Sequence, residues 1–310
     1  MSKIVVVGSY VVDLMSRTPH LPKPGETVLG GPFQMGPGGK GGNQATAAAR
    51  SGSEVTFVTK LGDDLFGRDA LRHFNAENIN TQYIKVDPNQ TTGVALIEVD
   101  DQSENSIVVA LGACGTLTET EVLEVEDKVK EADIALLQLE TSIEAIVTTV
   151  KLAAKYEVPV ILNPAPFQEF PRELLNDVAY ITPNETEAYE LSGVEVTDEQ
   201  TALAASKKLF GMGVGTVIIT MGKQGAFVYT GGEQGKLVSG YKVEAIDTTG
   251  AGDAFNGGFA HALSIGKTLD EAITYANAVA ALSVTKIGTA PAMPYKHEVE
   301  AFLEQYRALN

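Results

Sequence analysis

Short apolar runs rich in β-branched residues alternate along most of the chain with longer segments whose apolar residues recur every three to four positions. The first run, residues 4–8, ends at a glycine and contains no polar residue, which is typical of a strand buried on both faces. Strands that alternate with helices favour a parallel sheet covered by helices on both faces. The pattern therefore predicts an α/β protein. The other predicted strands are residues 55–60, 134–139, 158–162, 178–181 and 216–220, and the predicted intervening helices include residues 64–77, 142–156 and 197–210.

A second pattern interrupts this alternation at residues 26–35, 91–101 and 104–111, where strand-like segments follow one another without intervening helices. Such segments fit poorly into a parallel sheet, because parallel neighbours need long crossover connections. We expect a small extra β-sheet, a lid, inserted at about residues 10–40 and 90–112; an antiparallel extension of the main sheet is the alternative. The last third is predicted to be mostly helical, at 251–264, 269–284 and 295–306. Since there is no linker and no internal repeat, we expect residues 1–310 to form a single domain that carries this lid.

The charge balance limits the possible partners. The chain has 23 basic and 40 acidic residues, a formal net charge of −17, which argues against nucleic acid and anionic membranes. An anionic substrate would therefore need a local positive site. The single cysteine, Cys114, excludes an intrachain disulfide and is expected to be a small buried residue. Because no apolar run suits a signal peptide or a membrane span, we expect a cytoplasmic protein.

The most informative motif lies at residues 247–258, where Gly250 and Gly252 flank Ala251 immediately before a helical segment. Glycines leave the backbone N–H groups unhindered at a helix N-terminus, where the helix dipole favours an anion, so the motif predicts a phosphate cradle. Asp253 lies in the first turn of this helix. It is either a helix cap or a base that accepts the proton of an attacking hydroxyl group.

A second glycine cluster spans residues 36–43. Gly36, Gly38 and Gly41 match the spacing G-x-G-x-x-G, but the cluster follows an expected lid strand and not the first strand of a βαβ unit, so we reject a dinucleotide site. Lys40 does not complete a phosphate-binding P-loop, because the next residue is glycine. These glycines favour close approach of backbone amides and Asn43 to a small polyhydroxylated ligand; a flexible loop is the alternative.

Polar residues also follow several predicted strands, at the edge where open α/β sheets bind ligands. Asn184 and Glu187 open a helix after strand 178–181, where acidic residues equally serve as capping groups. Asp13 and Glu140 reach the same edge and are candidates for binding sugar hydroxyls or a cation.

Taken together, these motifs resemble the ribokinase group of the PfkB carbohydrate kinase family over essentially the whole chain. The resemblance rests on residues 247–255 and 38–44, and further on 5–9, 138–140, 163–166 and 182–187. It implies a three-layer αβα sandwich with a mainly parallel central sheet and a small β-sheet lid. It also implies ATP-dependent phosphorylation of the primary (5-) hydroxyl of D-ribose; another small sugar, nucleoside or polyol is the alternative. A homodimer formed through the lid strands is a further implication.

The resemblance also assigns roles to individual residues. Asp253 corresponds to the family's catalytic base. The family's anion hole corresponds to Gly250, Ala251 and Gly252. The positions that hold the sugar are Asp13, Gly39, Lys40, Gly41, Gly42, Asn43 and Glu140. The positions near ATP are Asn184, Thr220, Gly222, Gly225, Gly252 and Asn277, and Glu187 corresponds to a position that binds Mg²⁺ through water. The positions that bind K⁺ are Asp247, Thr249, Ser283, Lys286, Gly288 and Ala292.

Three positions depart from the family pattern. Val11 and Cys114 stand where asparagine is common, and a lost hydrogen-bond partner for a sugar hydroxyl is expected to change the sugar preference. Ala292 stands where serine is common, so weaker activation by K⁺ is expected.

Overall fold

The structure is a computed structural model that describes residues 2–102 and 104–309. Its strands are β1 (Lys3–Val7), β2 (Val11–Thr18), β3 (Phe33–Gly38), β4 (Glu54–Gly62), β5 (Ile84–Asp87), β6 (Thr92–Asp100), β7 (Asn105–Gly112), β8 (Ile134–Gln138), β9 (Val160–Asn163), β10 (Tyr180–Ile181), β11 (Thr216–Thr220), β12 (Gly225–Tyr229) and β13 (Lys236–Ser239). Its α-helices are α1 (Lys40–Ser51), α2 (Leu65–Ala76), α3 (Glu119–Leu123), α4 (Glu126–Glu131), α5 (Ile143–Lys155), α6 (Glu185–Ser192), α7 (Glu199–Phe210), α8 (Ala251–Ser264), α9 (Leu269–Ser283) and α10 (Lys296–Leu309).

The main sheet has nine strands within the described residues, in the order β13-β12-β11-β10-β9-β8-β1-β4-β5. Strands β4, β5, β1, β8, β9, β10 and β11 run parallel, and β12 is antiparallel to both of its neighbours, β11 and β13. Residues of β1 alternate between the two sides: Val5 and Val7 join one apolar cluster, and Ile4 and Val6 join the other. A strand with helices on both faces needs apolar residues at every position, which explains the uninterrupted runs in the sequence.

The predicted fold class is therefore confirmed: a mostly parallel sheet lies between helical layers, and a small separate sheet accompanies it. The antiparallel edge strands β12 and β13 were not foreseen. The predicted strand at residues 178–181 is reduced to the two residues of β10. No helix in the described part of the chain is long and apolar enough to cross a membrane.

The small sheet has the strand order β3-β2-β6-β7 within the described residues. Strands β2 and β6 are parallel, and the other two pairs are antiparallel. The prediction for residues 26–35 is corrected here, because the strand begins only at Phe33. Gly30, Gly31 and Pro32 interrupt the segment before it and disfavour a strand. Its partner β2 was missed, because Asp13 breaks the apolar pattern in the middle of that strand.

Candidate active site

The carboxyl ends of β1, β8, β9 and β10 meet the N-termini of α1 and α8 at one end of the main sheet. Two cavities lie there. The smaller, about 150 Å³, is lined by the first turn of α8, by Lys40 and by Glu187. The larger, about 490 Å³, lies between the small sheet and the loops before α8 and after α9, and Asp13 is part of its wall. Of the predicted sugar positions, Asp13 lines the larger cavity and Lys40 the smaller one, and Thr248 lines both, so the two cavities adjoin.

Asp253 is held in place through both of its carboxylate oxygens. It is the third residue of α8 and only 5% exposed. Asn43 Nδ2 donates to Oδ2 at 2.9 Å, and Gln44 Nε2 donates to Oδ1 at 2.9 Å. The carboxylate also lies in the positive field of the α8 N-terminus. Two donors from α1 thus fix one carboxylate on α8 and define the direction in which its free lone pairs point.

Gln44 belongs to a chain of oriented amides that sequence reasoning missed as functional. Gln138 Nε2 donates to Gln44 Oε1 at 2.7 Å, and Gln44 Nε2 donates to Asn163 Oδ1 at 3.0 Å in addition to Asp253. Asn163 Nδ2 in turn donates to the carbonyl oxygen of Thr182 at 3.0 Å. Rotating the Gln44 amide by half a turn would place its oxygen against the Asp253 carboxylate, so only one orientation satisfies every partner.

The first turn of α8 has the geometry of the predicted phosphate cradle. Gly250 adopts a φ of 77°, which favours glycine, and a Cβ at Gly252 would meet no atom within 4 Å, so the first turn faces open space. Asn256 Nδ2 donates to the carbonyl oxygen of Gly252 at 2.8 Å, and Thr182 Oγ1 donates to Asn256 Oδ1 at 2.6 Å. The turn is therefore ordered before any anion arrives.

The second glycine cluster opens α1 and is not a flexible loop. Glu140 Oε2 accepts hydrogen bonds from the Lys40 N–H at 2.9 Å and from Ser9 Oγ at 2.5 Å. The N–H groups of Gly41 and Gly42 donate to Ser9. The N–H groups of these two glycines therefore form hydrogen bonds within the protein, and the lack of side chains allows close packing. Glu140 anchors the start of the helix.

Asp13 lies on β2 at the base of the small sheet. Burial raises the pKa of its carboxyl group to about 6; Thr289 opposes the shift by hydrogen bonding, whereas the charge of Glu140 adds to it. Thr289 Oγ1 lies 2.9 Å from Asp13 Oδ2. Gly38 packs so closely that a Cβ there would lie 2.2 Å from Asp13 Oδ1. The glycine is thus required for this carboxylate to fit.

Lys40 supplies positive charge to the smaller cavity. Burial lowers the pKa of its ammonium group, but the nearby carboxylates of Asp253, Glu140 and Glu187 outweigh that effect, and the net shift is upward. The side chain is therefore charged at neutral pH, within a group of carboxylates that an anionic substrate would otherwise avoid.

Asn184 and Glu187 form a capping box at the start of α6. The Glu187 N–H donates to Asn184 Oδ1 at 2.8 Å, and the Asn184 N–H donates to Glu187 Oε2 at 2.9 Å. The capping interpretation of these residues is thus correct as to geometry. Burial raises the pKa of Glu187, and its side chain also lines the smaller cavity, so capping leaves it available to a ligand there.

The residues assigned to K⁺ converge on the loops before α8 and after α9. Asp247 Oδ1 accepts from the Thr249 N–H at 3.0 Å, and Oδ2 accepts from the Gly288 N–H at 2.9 Å. The carbonyl oxygens of Thr249, Lys286 and Gly288 accept no hydrogen bond from any described residue. Such carbonyl oxygens suit a hard cation. The Ser283 carbonyl, by contrast, accepts from the Lys286 N–H at 3.2 Å, and the Ala292 side chain contributes only a buried methyl group.

The remaining predicted nucleotide positions are more scattered. Thr220 lines the smaller cavity, whereas Gly222 and Gly225 form the tight turn after it, with φ of 51° and 110°. Asn277 Nδ2 donates to the carbonyl oxygens of Val238 and Ser239, and so fastens α9 to β13 outside that cavity. Its amide hydrogens are therefore already used within the fold.

Comparison with known proteins gives likenesses that extend over nearly the whole chain. The model of the pfkB family carbohydrate kinases matches residues 1–296. A ribokinase of Haemophilus influenzae is 44% identical over 301 residues, 97% of this chain and 98% of that protein. A deoxyribokinase of Salmonella typhi is 38% identical over 308 residues, 99% of each chain. The structure of Arabidopsis thaliana ribokinase complexed with ribose and ATP is similar over 98% of this chain and 99% of that one, with a TM-score of 0.92 and 32% identity.

Replacing Gly41 by alanine is expected to destabilise the protein. The added Cβ would lie 2.7 Å from backbone atoms of Gly8 and Ser9, which cannot move as a flexible side chain would. We expect a loss of about 1–3 kcal/mol in the free energy of unfolding, measured with urea. Gly36→Ala is the matched control, because a Cβ at Gly36 would meet no atom within 4 Å. Equal stability of the two variants would contradict the packing described for the start of α1.

Proposed function

Since the chain belongs to the pfkB family of carbohydrate kinases, we propose that it transfers the terminal phosphoryl group of ATP to the primary (5-) hydroxyl of D-ribose, giving ribose 5-phosphate and ADP. The observation that carries this proposal is the Asp253 carboxylate, fixed by two amides at the N-terminal turn of α8 beside an open anion cradle. The full-length similarity to the ribokinase of Haemophilus influenzae supports ribose as the acceptor.

In the proposed reaction, Asp253 accepts the proton of the sugar hydroxyl while that oxygen attacks the terminal phosphorus. The new oxygen–phosphorus bond forms as the bond to the leaving ADP oxygen breaks. The N–H groups at Gly250, Ala251 and Gly252 stabilise charge on the transferring group, and Lys40 adds positive charge beside it. The chain of amides through Gln44 fixes the orientation of the Asp253 carboxylate, and phosphoryl transfer requires such positioning.

The sugar is proposed to lie where the two cavities adjoin, between Asp13 and Asp253. The buried Asn43 Oδ1 has no hydrogen-bond partner among the described residues, which supports a role in accepting a sugar hydroxyl. The Gly39 backbone lies beside it at the start of α1. Gly41 and Gly42 are proposed to act by shaping this wall, because their N–H groups donate to Ser9, and Glu140 is proposed to anchor it through Oε2.

The nucleotide is proposed to lie along the smaller cavity, from the α8 cradle past Asn184 and Thr220 to the turn at Gly222 and Gly225. Asn277 is proposed to shape the adenine end through its hold on β13. Glu187 would hold Mg²⁺ through water, since Mg²⁺ keeps several waters and needs few protein ligands. The carbonyl oxygens of Thr249, Lys286 and Gly288, together with those of Ser283 and Ala292 and the Asp247 carboxylate, would hold K⁺. When bound, Mg²⁺ and K⁺ would supply positive charge near the phosphates.

The small sheet is proposed to act as the lid of one kinase domain that spans residues 1–310, and to pair with that of a second copy. Leu96 and Val108 lie in register on neighbouring strands and are 51% and 60% exposed. An exposed apolar row beside the unpaired edge of β7 supports such pairing.

A second candidate acceptor is 2-deoxyribose. Val11, at the position where asparagine is common in the family, is buried against the backbone of Gly93 and offers no hydrogen bond to a hydroxyl group. Cys114 is also buried, and its Sγ donates to the Leu111 carbonyl at 3.0 Å. The similarity to the deoxyribokinase of Salmonella typhi supports the same alternative.

The proposed function is tested by measuring sugar-dependent release of ADP in the presence of Mg²⁺ and K⁺. The acceptors are D-ribose, 2-deoxy-D-ribose, D-fructose and adenosine, each against a sugar-free blank. We expect the highest kcat/KM with ribose. A higher value with 2-deoxyribose would favour the second candidate, and the absence of turnover with every acceptor would contradict the kinase assignment.

Asp253→Asn is expected to lower kcat at least ~10²-fold, because amide nitrogen cannot take the place of a general base. The KM for ATP is expected to change little, since the cradle amides remain. Asp270→Asn is the matched control, because Asp270 is an exposed residue paired with Lys236. Near-normal turnover of Asp253→Asn would contradict the assignment of the base.

The affinity for ribose is expected to rise between about pH 5 and about pH 7. The pKa of Asp13 is raised to about 6 by burial, and only its ionised form accepts strong hydrogen bonds from two hydroxyls. The measurement is the Kd for ribose by calorimetry without nucleotide. Asp13→Asn should bind more weakly, with a Kd that no longer follows this titration. A wild-type Kd that is constant over this range would rule out Asp13 as the titrating ligand.

A further inference from the structure

Thr289 is a buried residue in the wall of the larger cavity, and neither the motifs nor the proposed reaction provides a role for it. Its Oγ1 lies 2.9 Å from Asp13 Oδ2 and 3.0 Å from the carbonyl oxygen of Pro37. A threonine hydroxyl has one hydrogen to donate, and both neighbours are acceptors. The stronger acceptor is the ionised carboxylate, so the hydroxyl donates to Asp13 whenever that group is charged.

The backbone around Thr289 is fixed on both sides, which makes the direction of its hydroxyl a property of the fold. Before it, the Gly288 N–H donates to Asp247. After it, Arg50 Nη1 donates to the carbonyl oxygens of Met293 at 2.6 Å and Pro291 at 3.2 Å. Arg50 is itself held by a nearly buried ion pair with Glu77, at 2.7 Å.

Thr289 also lies beside the start of the anion cradle. Its Cγ2 lies 3.4 Å from the position of a Cβ built on Gly250. One residue therefore contacts the Asp13 carboxylate on β2 and the backbone of β3, and lies next to the turn that opens α8. Asp13 has no other side-chain hydrogen-bond donor among the described residues, so without Thr289 its carboxylate would be free to rotate.

We propose that Thr289 is a positioning residue for sugar binding, whose hydroxyl fixes the orientation of the Asp13 carboxylate so that its other lone pairs face the hydroxyls of the acceptor. The inference rests on the proposed sugar kinase function and deepens it. Thr289 does not touch the reacting atoms; it acts through Asp13. Its loss should therefore weaken sugar binding and leave the nucleotide side of the site unchanged.

The test compares Thr289→Val, which keeps the shape and removes the hydroxyl, with Thr289→Ser, which keeps the hydroxyl and removes the methyl group. We expect Thr289→Val to raise the Kd for ribose about tenfold or more, the size expected for a hydrogen bond to a charged group. Thr289→Ser should stay within about threefold of wild type, and the KM for ATP should change less than about twofold in both. A wild-type Kd in Thr289→Val, or equal losses in the two variants, would overturn the inference.

A double-mutant cycle with Asp13→Asn separates positioning from general structural damage. If Thr289 acts through Asp13, adding Thr289→Val to Asp13→Asn should cost little more sugar affinity than Asp13→Asn alone. Additive losses would show that Thr289 acts elsewhere. If Thr289→Val does not fold, the same cycle with Thr289→Ala gives the decision. Failure of the wild-type protein to bind any sugar would instead count against the proposed function, and would be seen before any variant is compared.

Discussion

The hydrogen bonds from Asn43 and Gln44 to Asp253 are the constraint on which the arrangement of the site depends, because they join two helices that are distant in sequence. Side chains this short meet only if α1 and α8 pack almost backbone to backbone. Gly257 makes that approach possible: a Cβ there would lie 2.5 Å from Ala47 Cβ and 2.6 Å from the Gln44 carbonyl oxygen. The glycine cluster that opens α1 and the glycines of α8 are thus two parts of one requirement, that a carboxylate be held firmly beside an anion cradle.

The sequence indicated the fold class and the main parts of the site, but not the contacts that orient them. The strands of the main sheet can be predicted because burial on both faces requires continuous apolar runs. The spacing of Asn184 and Glu187 predicts the start of α6, because it is that of a capping box. Strand β2 was missed because a charged residue, Asp13, occupies a position where the local pattern demands an apolar one. The roles of Gln44 and Thr289 could not be read at all, since each depends on a partner more than 200 positions away in the chain.

The site is mostly negatively charged, which disfavours binding of an anionic substrate. Asp13, Glu140, Glu187 and Asp253 surround one cationic side chain, Lys40, and the whole protein is strongly acidic. In the proposed function, phosphate binding would therefore depend on directed groups at short range, namely the cradle amides, the α8 dipole and a divalent cation brought with the nucleotide. Because each of these acts within a few ångströms, the net charge of the protein does not prevent binding, and it selects against anions that cannot use the cradle.

In the proposed reaction, a base that activates a sugar hydroxyl would also activate water, so closure of the larger cavity over the sugar would protect the transfer from water. Its outer wall contains three apolar side chains in register across neighbouring strands of the small sheet, Met15, Ile97 and Ile107. At about 490 Å³ the cavity is several times larger than a pentose, and apolar walls gain most when they close over a bound ligand. Asp13 lies at the base of the same sheet, and Thr289 ties it to the loop before α10. In the proposed binding mode, a sugar at Asp13 would contact the strand from which closure would start, and this would link exclusion of water to the presence of the acceptor.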